Sequence, residues 1–161
     1  MKNIFLLIYF ICLVSCNDSN YNEKFLNLEK QTFTDFKGYS ITYRNGIYLV
    51  SDANIEKDSN RVFIKMNNSG NIRYIEDINK NIITKPEIEL NFLEKMLNKF
   101  NNLNVSNISV DKNENIQFLF FSNKCSYTFL QLSKKSRLKD LNKSYFEKYK
   151  DNWYLYKQCS K

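Results

Sequence analysis

The chain has 161 residues, of which 43% are hydrophobic and 16% aromatic, and its formal net charge is +7. This length predicts one domain with a real apolar core, which excludes a disordered chain. Histidine is absent, so Ser-His-Asp and Cys-His catalysis and all histidine-ligated metal sites are excluded. The three glycines do not have the spacing of a phosphate-binding loop.

The N-terminus begins with a short positive region, Met1-Lys2-Asn3, and continues as an uncharged apolar run from Ile4 to Val14. A transmembrane helix needs about 20 apolar residues, so this run is too short to span a bilayer. Its length is typical of the apolar region of a secretory signal. We therefore predict that residues 1–15 are an export signal and exclude them from the fold.

The apolar run ends at Leu13-Val14-Ser15-Cys16. This segment resembles the lipobox of bacterial lipoprotein signal peptides, with a small residue before the cysteine and leucine three residues before it. The resemblance implies cleavage before Cys16 and a diacylglyceryl group on its thiol. Two or three acyl chains provide stable membrane attachment, whereas one chain holds only marginally. The alternative is a secreted protein in which Cys16 lies near the cleavage site by chance.

The resemblance is confined to residues 1–16, and we recognise no family for the mature domain. Residues 17–22 are polar and lack periodicity, so we predict a short tether over residues 16–22, followed by a single domain over residues 23–161. The expected location is a membrane of the cell envelope, with the domain facing the periplasm or the cell exterior.

The first half of the mature chain predicts a helix within residues 23–36 and then four strands. Asn45-Gly46 between two β-rich runs indicates a type I′ hairpin, because both turn positions need a positive φ. Asn67-Asn68-Ser69-Gly70 joins a second pair of strands. The four predicted strands are residues 39–43, 47–51, 61–66 and 71–76.

Residues 84–101 predict the most regular helix. Thr84-Lys85-Pro86-Glu87 has the form of a capping box with proline in the first turn. Apolar residues then recur at spacings of three and four, which gives one apolar face. The residues on this face are Ile88, Phe92, Leu93, Met96, Leu97 and Phe100.

The second half predicts strands at residues 105–110, 115–121, 126–132 and 153–157, and a basic amphipathic helix at residues 136–150. Phe118 to Phe121 is a continuous apolar run, which favours a central strand buried on both faces. Short hairpin links require antiparallel pairing. The predicted fold is α+β: an antiparallel meander of about seven strands with the helix at about 86–101 packed on one face.

Two cysteines, Cys125 and Cys159, remain in the mature domain besides Cys16. Export would place them in an oxidising compartment, where an even pair most simply forms a disulfide. Two free buried thiols are the alternative.

No motif predicts catalysis, a metal or a cofactor. The acidic loops at residues 52–60 and 111–115 resemble calcium loops only at their start. They carry Lys57 and Ile116 where an EF-hand requires glycine. Paired carboxylates could serve a glycosidase, but the sequence does not show which of them lie close together. We therefore expect a protein that is not an enzyme and holds no metal or cofactor.

The positive charge is concentrated in residues 124–161, which contain ten basic and three acidic residues. Such a segment favours an anionic partner: lipid headgroups, an anionic glycan or an acidic protein. A solvated charged face is the alternative, and nucleic acid is not expected for an exported protein. The candidate binding cations are Lys134, Lys135, Arg137, Lys139, Lys143, Lys148 and Lys150.

The last predicted strand adds two aromatic candidates to this surface. Alternation along residues 153–157 places Trp153 and Leu155 on one face, which we expect to be buried. Tyr154 and Tyr156 lie on the other face, where exposed tyrosines can anchor a partner.

Together these features predict a lipid-anchored, non-catalytic binding module of the cell envelope, with a protein or an anionic envelope component as its partner. An immunity protein that neutralises a toxin at the membrane is the first alternative. A small-ligand carrier or an enzyme is the second, and it would require a concave pocket with converging polar groups.

Overall fold

A computed structural model describes residues 19–53, 61–86 and 88–160 of the chain. The chain divides into two compact units, Met1–Gln31 and Thr32–Lys161. The described elements are helices α1 (Ser19–Glu29) and α2 (Leu90–Leu103), 3-10 helices Thr34–Phe36 and Leu138–Leu141, and strands β1 (Tyr39–Arg44), β2 (Ile47–Asp52), β3 (Val62–Met66), β4 (Ile72–Glu76), β5 (Asn107–Val110), β6 (Ile116–Ser122), β7 (Cys125–Gln131), β8 (Glu147–Lys150) and β9 (Trp153–Cys159).

The first unit contributes α1, which overlaps the helix predicted within residues 23–36 but ends at Glu29. The helix begins at Ser19, so residues 19–22 of the predicted tether are helical. Its last turn is closed by the backbone N–H of Gln31, which donates to the carbonyl oxygen of Leu28.

The second unit contains one nine-stranded sheet in the order β4-β3-β2-β1-β5-β6-β7-β9-β8. Every neighbouring pair is antiparallel. The α+β class and the antiparallel sheet are therefore confirmed, but the predicted number of about seven strands is too low. The Asn-Gly hairpin is also present, because Asn45 and Gly46 have φ values of 52° and 78°, as a type I′ turn requires.

The pairing register separates the two faces of this sheet sharply. Residues on the face that we call the inner face are buried in every strand from β1 to β6. These inner residues include Ile41, Tyr48, Val50, Ile64, Ile75, Ile108, Val110, Phe118 and Phe120. Residues of the opposite, outer face are half-buried or exposed throughout the same six strands.

Helix α2 covers the inner face at the β1–β4 end. Leu93, Met96, Leu97 and Phe100 of the helix are buried. The ring of Phe100 lies 6.1 Å from that of Tyr48, whose hydroxyl donates to Asn101 Oδ1 at 2.7 Å. The predicted packing of this helix on one face of the sheet is therefore present.

The predicted helix start at residues 84–87 is wrong, since α2 begins at Leu90 and no side chain caps it. The preceding residues are occupied at the sheet edge instead. Ile82 bridges to Glu76, and the backbone N–H of Ile83 donates to the carbonyl oxygen of Ile75 at 2.8 Å. This tertiary pairing overrides the local capping pattern, while Glu87 lies outside the described residues.

The prediction that Phe118 to Phe121 is buried on both faces is also wrong. Phe118 and Phe120 are buried, whereas Phe121 is 63% exposed. Strand β6 is central in the order of strands, but only its inner face is covered along this run.

The helix predicted at residues 136–150 is absent. The chain forms a single 3-10 turn, Leu138–Leu141, and then adopts a left-handed conformation at Asn142, with φ 53°. It continues as strand β8, which pairs with β9. Apolar spacings of three and four occur here in a folded loop, because the leucines and Phe146 converge on one small cluster.

Cys125 and Cys159 lie directly opposite each other at the end of the β7–β9 ladder. Their sulfur atoms are 2.03 Å apart and form a disulfide. The register of the ladder places the two residues together, so the covalent link fixes a pairing that the backbone also makes.

Substitution of two phenylalanines in β6 tests the one-sided burial. We expect Phe118→Ala to lower the free energy of unfolding by about 3–5 kcal/mol, because it removes a buried ring from a packed core. The matched Phe121→Ala should change it by about 0.5 kcal/mol or less, as expected for a surface position. Urea denaturation measures both, and comparable losses for the two variants would contradict an open outer face.

Candidate functional site

The candidate site is built by the connection between β7 and β8. Strand β9 lies between these two strands, so residues 132–146 must pass across it. They pass over the outer face, where Leu132 and Phe146 form a buried cluster with Leu130, and Leu138 and Leu141 pack against it. We call residues 132–146 the basic crossover.

Hydrogen bonds fix the start of the crossover to the sheet. The backbone N–H of Ser133 donates to Asn115 Oδ1 at 2.9 Å, and Asn115 is the buried polar residue of the β5–β6 turn. Leu132 exchanges two hydrogen bonds with Asn152, one through backbone atoms and one through the asparagine side chain. The crossover is therefore a tied segment with a defined path.

Tyr154 and Tyr156 form the floor of the crossover. Both lie on the outer face and are half-buried. The ring of Tyr156 is 4.9 Å from Tyr145 and 5.9 Å from Phe146. The tyrosine pair is thus largely covered, and the exposed ring at this place is Tyr145, which is 56% exposed.

Trp153 is buried on the inner face, whereas Leu155 is only half-buried. The strand alternates as the sequence indicates, but the burial of Leu155 falls short of the expectation. The sequence does not indicate Tyr145 as a binding residue, because Tyr145 falls within the amphipathic helix predicted at residues 136–150. Only the crossover topology brings it against Tyr156.

The exposed cations divide between the crossover and the edge strand. Lys134, Lys135, Arg137 and Lys139 are exposed on the crossover. Arg137 is paired, since its Nε donates to Asp140 Oδ2 at 2.9 Å. Lys134, Lys135 and Lys139 also present charge on this segment, although Asp140 lies near Lys139 and Glu114 near Lys135.

Lys148 and Lys150 are exposed on β8, at the edge of the sheet. Lys148 Nζ lies 4.8 Å from the centre of the Tyr154 ring, a cation–π distance. Lysines on an edge strand also prevent pairing with another chain. This structural role accounts for part of the positive charge.

Lys143 differs from the other basic candidates, because its side chain is half-buried. Its Nζ donates a hydrogen bond to Gln117 Oε1 on β6 and lies 5.7 Å from the centre of the Phe146 ring. Burial lowers the pKa of Lys143 from its ordinary value, and the charge of Asp111 opposes this shift. Lys143 therefore ties the crossover to the outer face.

The acidic loop at residues 111–115 stabilises its own turn. The Asp111 carboxylate accepts the backbone N–H and the side-chain amide of Asn115, at 2.9 and 2.7 Å. Within the described ranges, no group of three or more acidic or cysteine side chains is placed to hold a metal ion. Most of the 52–60 loop lies outside those ranges, and so does Cys16.

A cavity of about 470 Å³ lies away from the crossover, between the sheet and α2. Its apolar wall includes Tyr39 and Leu93, and its polar wall includes Asp52, Arg61 and Lys85. This volume is within the range of small-molecule pockets. It is the feature that a ligand-carrier function would use.

No family model, curated protein or solved structure matches this chain. Neither of the two described α-helices is long and apolar enough to cross a membrane. The functional argument therefore rests on the geometry of the crossover and the outer face.

Neutralising Lys143 tests its burial. The unfolded chain binds more protons than the folded protein near the lysine pKa, so folding stability should rise with pH as Lys143 loses its proton. We expect the free energy of unfolding of the wild type to rise relative to that of Lys143→Met between pH 7 and pH 10, because the cost of burying the lysine charge disappears. Urea denaturation at both pH values measures this, with exposed Lys139→Met as the control. A difference that is independent of pH would contradict the lowered pKa.

Proposed function

We propose that the chain is a lipid-anchored protein of the bacterial cell envelope that binds an anionic macromolecular partner through its basic crossover and has no catalytic role. The observation that supports this proposal is that the crossover is held in a defined position on the sheet. Exposed lysines stand on a segment that an apolar cluster and several hydrogen bonds hold in place. A solvated charged loop does not need such support.

Preorganised cations favour binding because less conformational freedom is lost when the partner arrives. Lys134, Lys135 and Lys139 emerge from a backbone that is tied at Leu132 and packed at Leu138. Charges arranged in this way also steer an oppositely charged partner toward the site and make its association sensitive to salt.

The anchor is proposed from the lipobox-like segment that ends at Cys16. Helix α1 begins at Ser19, three residues after the proposed lipidated residue.

Replacement of Cys16 tests the anchor. Cys16→Ala removes the only thiol at which the proposed diacylglyceryl thioether could form, so we expect the protein to leave the membrane fraction. Fractionation of producing cells and intact-mass analysis measure this, with Cys12→Ala as the matched control. Unchanged membrane association of Cys16→Ala, without a lipid mass on the wild type, would overturn the anchor.

Charge reversal tests the crossover. We expect Lys134→Glu, Lys135→Glu and Lys139→Glu together to reduce crosslinking to the partner by about tenfold or more, because an attraction becomes a repulsion. The control carries the same charge change at three exposed lysines elsewhere, Lys30, Lys85 and Lys95. In-cell chemical crosslinking of the lipidated protein, followed by mass spectrometry, measures both variants.

Equal crosslinking by the two triple variants would mean that the crossover is only a solvated face. If a partner depends on the crossover, its identity separates a toxin from an envelope component.

A further inference from the structure

The outer face of strands β1–β6 is a second surface of interest, because folding stability alone does not explain the large apolar side chains that it leaves unburied. It rests beside the basic crossover, and the inference drawn from it depends on the binding function proposed above. None of its side chains is buried, in contrast to the inner face of the same strands. Its large apolar residues include Leu49, Phe63, Leu119 and Phe121.

The register aligns Leu49, Phe63 and Leu119 in one row across the sheet, and Phe121 lies two residues beyond Leu119 on the same face. Leu49 pairs with Phe63 on one side and with Thr42 on the other. Thr42 pairs with Asn107, which pairs with Leu119. At a strand spacing of about 4.8 Å the row is about 19 Å long, and β7 and β9 extend it toward the crossover. These dimensions approach the side of a standard protein interface patch of about 800 Å².

The charges on this surface are mostly of one sign. Arg44 and Lys65 are outer-face residues of β1 and β3. Lys143 reaches the same face from the crossover through its hydrogen bond to Gln117. Glu76, opposite Phe63 on the edge strand β4, is the acidic outer-face residue within β1–β6.

We propose that the outer face of β1–β6 and the crossover form one continuous docking surface, and that its occupant is an acidic protein surface that also carries apolar side chains and hydrogen-bonding groups. The apolar residues on either side of Thr42 and Asn107 supply the parts that exclude water, and the flanking cations select the charge of the partner. Lys143 joins the two parts, because it belongs to the crossover and contacts β6.

A second copy of this chain is a poor fit to the same surface. Two outer faces in contact would bring Arg44, Lys65 and Lys143 of one copy near the same cations of the other, and like charges at an interface cost several kcal/mol. A face with the opposite charge pattern removes this repulsion.

A lipid surface also fits less well than a protein. The centre of the row contains Thr42 and Asn107, whose hydrogen-bonding groups face the same side as the apolar residues. The Asn107 amide already donates to Thr42 Oγ1 at 2.9 Å. Their remaining groups would lose water without gaining partners in acyl chains, whereas a protein surface can supply hydrogen bonds.

Phe121 is the most exposed apolar side chain of the outer face. It lies at the end of β6, opposite Ser126 on β7, and its small neighbour leaves the ring accessible. An exposed aromatic beside a polar rim has the composition of a binding hot spot. Phe121 is therefore the expected anchor on this surface.

Site-specific photocrosslinking tests the proposal in cells that produce the full, exported chain. A benzoylphenylalanine probe replaces Leu49, Phe63 or Phe121 in turn, and Phe92 serves as the control because it is an exposed aromatic of α2 rather than of the outer face. We expect all three outer-face probes to form an adduct with the same protein, at a sequence rich in Asp and Glu, and Phe92 to form none.

Charge reversal is combined with the Phe63 probe. Arg44→Glu with Lys65→Glu should reduce the adduct by about tenfold or more, whereas Lys85→Glu with Lys95→Glu, at two exposed lysines away from the outer face, should leave it unchanged. Arg44→Lys should retain the adduct, and thermal melts of all variants establish that the fold persists. A reversed charge on the acidic site of the partner should restore the adduct of the Arg44→Glu, Lys65→Glu protein.

Four results would overturn the proposal: no adduct at the outer-face probes, adducts with lipid, adducts with a second copy of the chain, or a protein adduct that ignores the Arg44 and Lys65 reversals. Its failure is distinguishable from failure of the proposed function. If crossover reversal abolishes the partner while outer-face probes capture nothing, binding is confined to the crossover. If neither variant set affects any partner, both proposals fail.

Discussion

The pairing register of the sheet is the constraint on which the remaining structure depends. Side chains alternate between faces with a period of two, so a slip of one residue moves every side chain of a strand to the other face. Such a slip in β6 would bury Gln117 and Phe121 in place of Phe118 and Phe120. The hydrogen bond from Lys143 to Gln117 would be lost at the same time.

Two local devices hold this register at separate places in the sheet. The turn at Asn45 and Gly46 fixes β1 against β2, because both residues have the positive φ that a type I′ turn needs. The disulfide between Cys125 and Cys159 fixes β7 against β9, because these two residues form the last pair of that ladder. The helix α2 then covers the inner face that these pairings define.

The placement of β9 between β7 and β8 determines the second main feature. Sequential strands usually pair as neighbours, and here the chain instead places β8 outside β9. The intervening residues must cross the outer face, and Leu130 and Tyr156 give them an apolar floor. A basic segment with defined geometry is a direct consequence of this order of strands.

These features explain which parts of the structure can be predicted from the sequence. The hairpins were predicted because turn residues and alternating apolar residues are local signals. The prediction of a helix at residues 136–150 is wrong because Leu138, Leu141 and Tyr145 have helical spacing, while their actual contacts are with strands that lie elsewhere in the chain. The predicted start of α2 at residues 84–87 is wrong because of a contact with a distant part of the chain: Ile82 and Ile83 pair with β4.

The candidate site shows the same division. The concentration of lysines and the alternation of Tyr154 with Trp153 are visible in the sequence, and the structure places Trp153 and Tyr154 on opposite faces of β9. The covering of Tyr154 and Tyr156, and the tie from Lys143 to Gln117, depend on the crossover path. No pattern within residues 132–156 encodes that path by itself.

The partial exposure of the outer face is the feature of the sheet that bears on the proposed function. Its side chains remain partly in water, so they contribute less to folding than their inner-face neighbours, and Phe121 contributes least of the phenylalanines on β6. Large apolar groups at such positions carry a cost in solubility and self-association. Cations at Arg44, Lys65 and Lys143 oppose self-association through like-charge repulsion and favour an acidic surface through the same fields. One arrangement of charge thus protects an exposed apolar face and selects what can cover it.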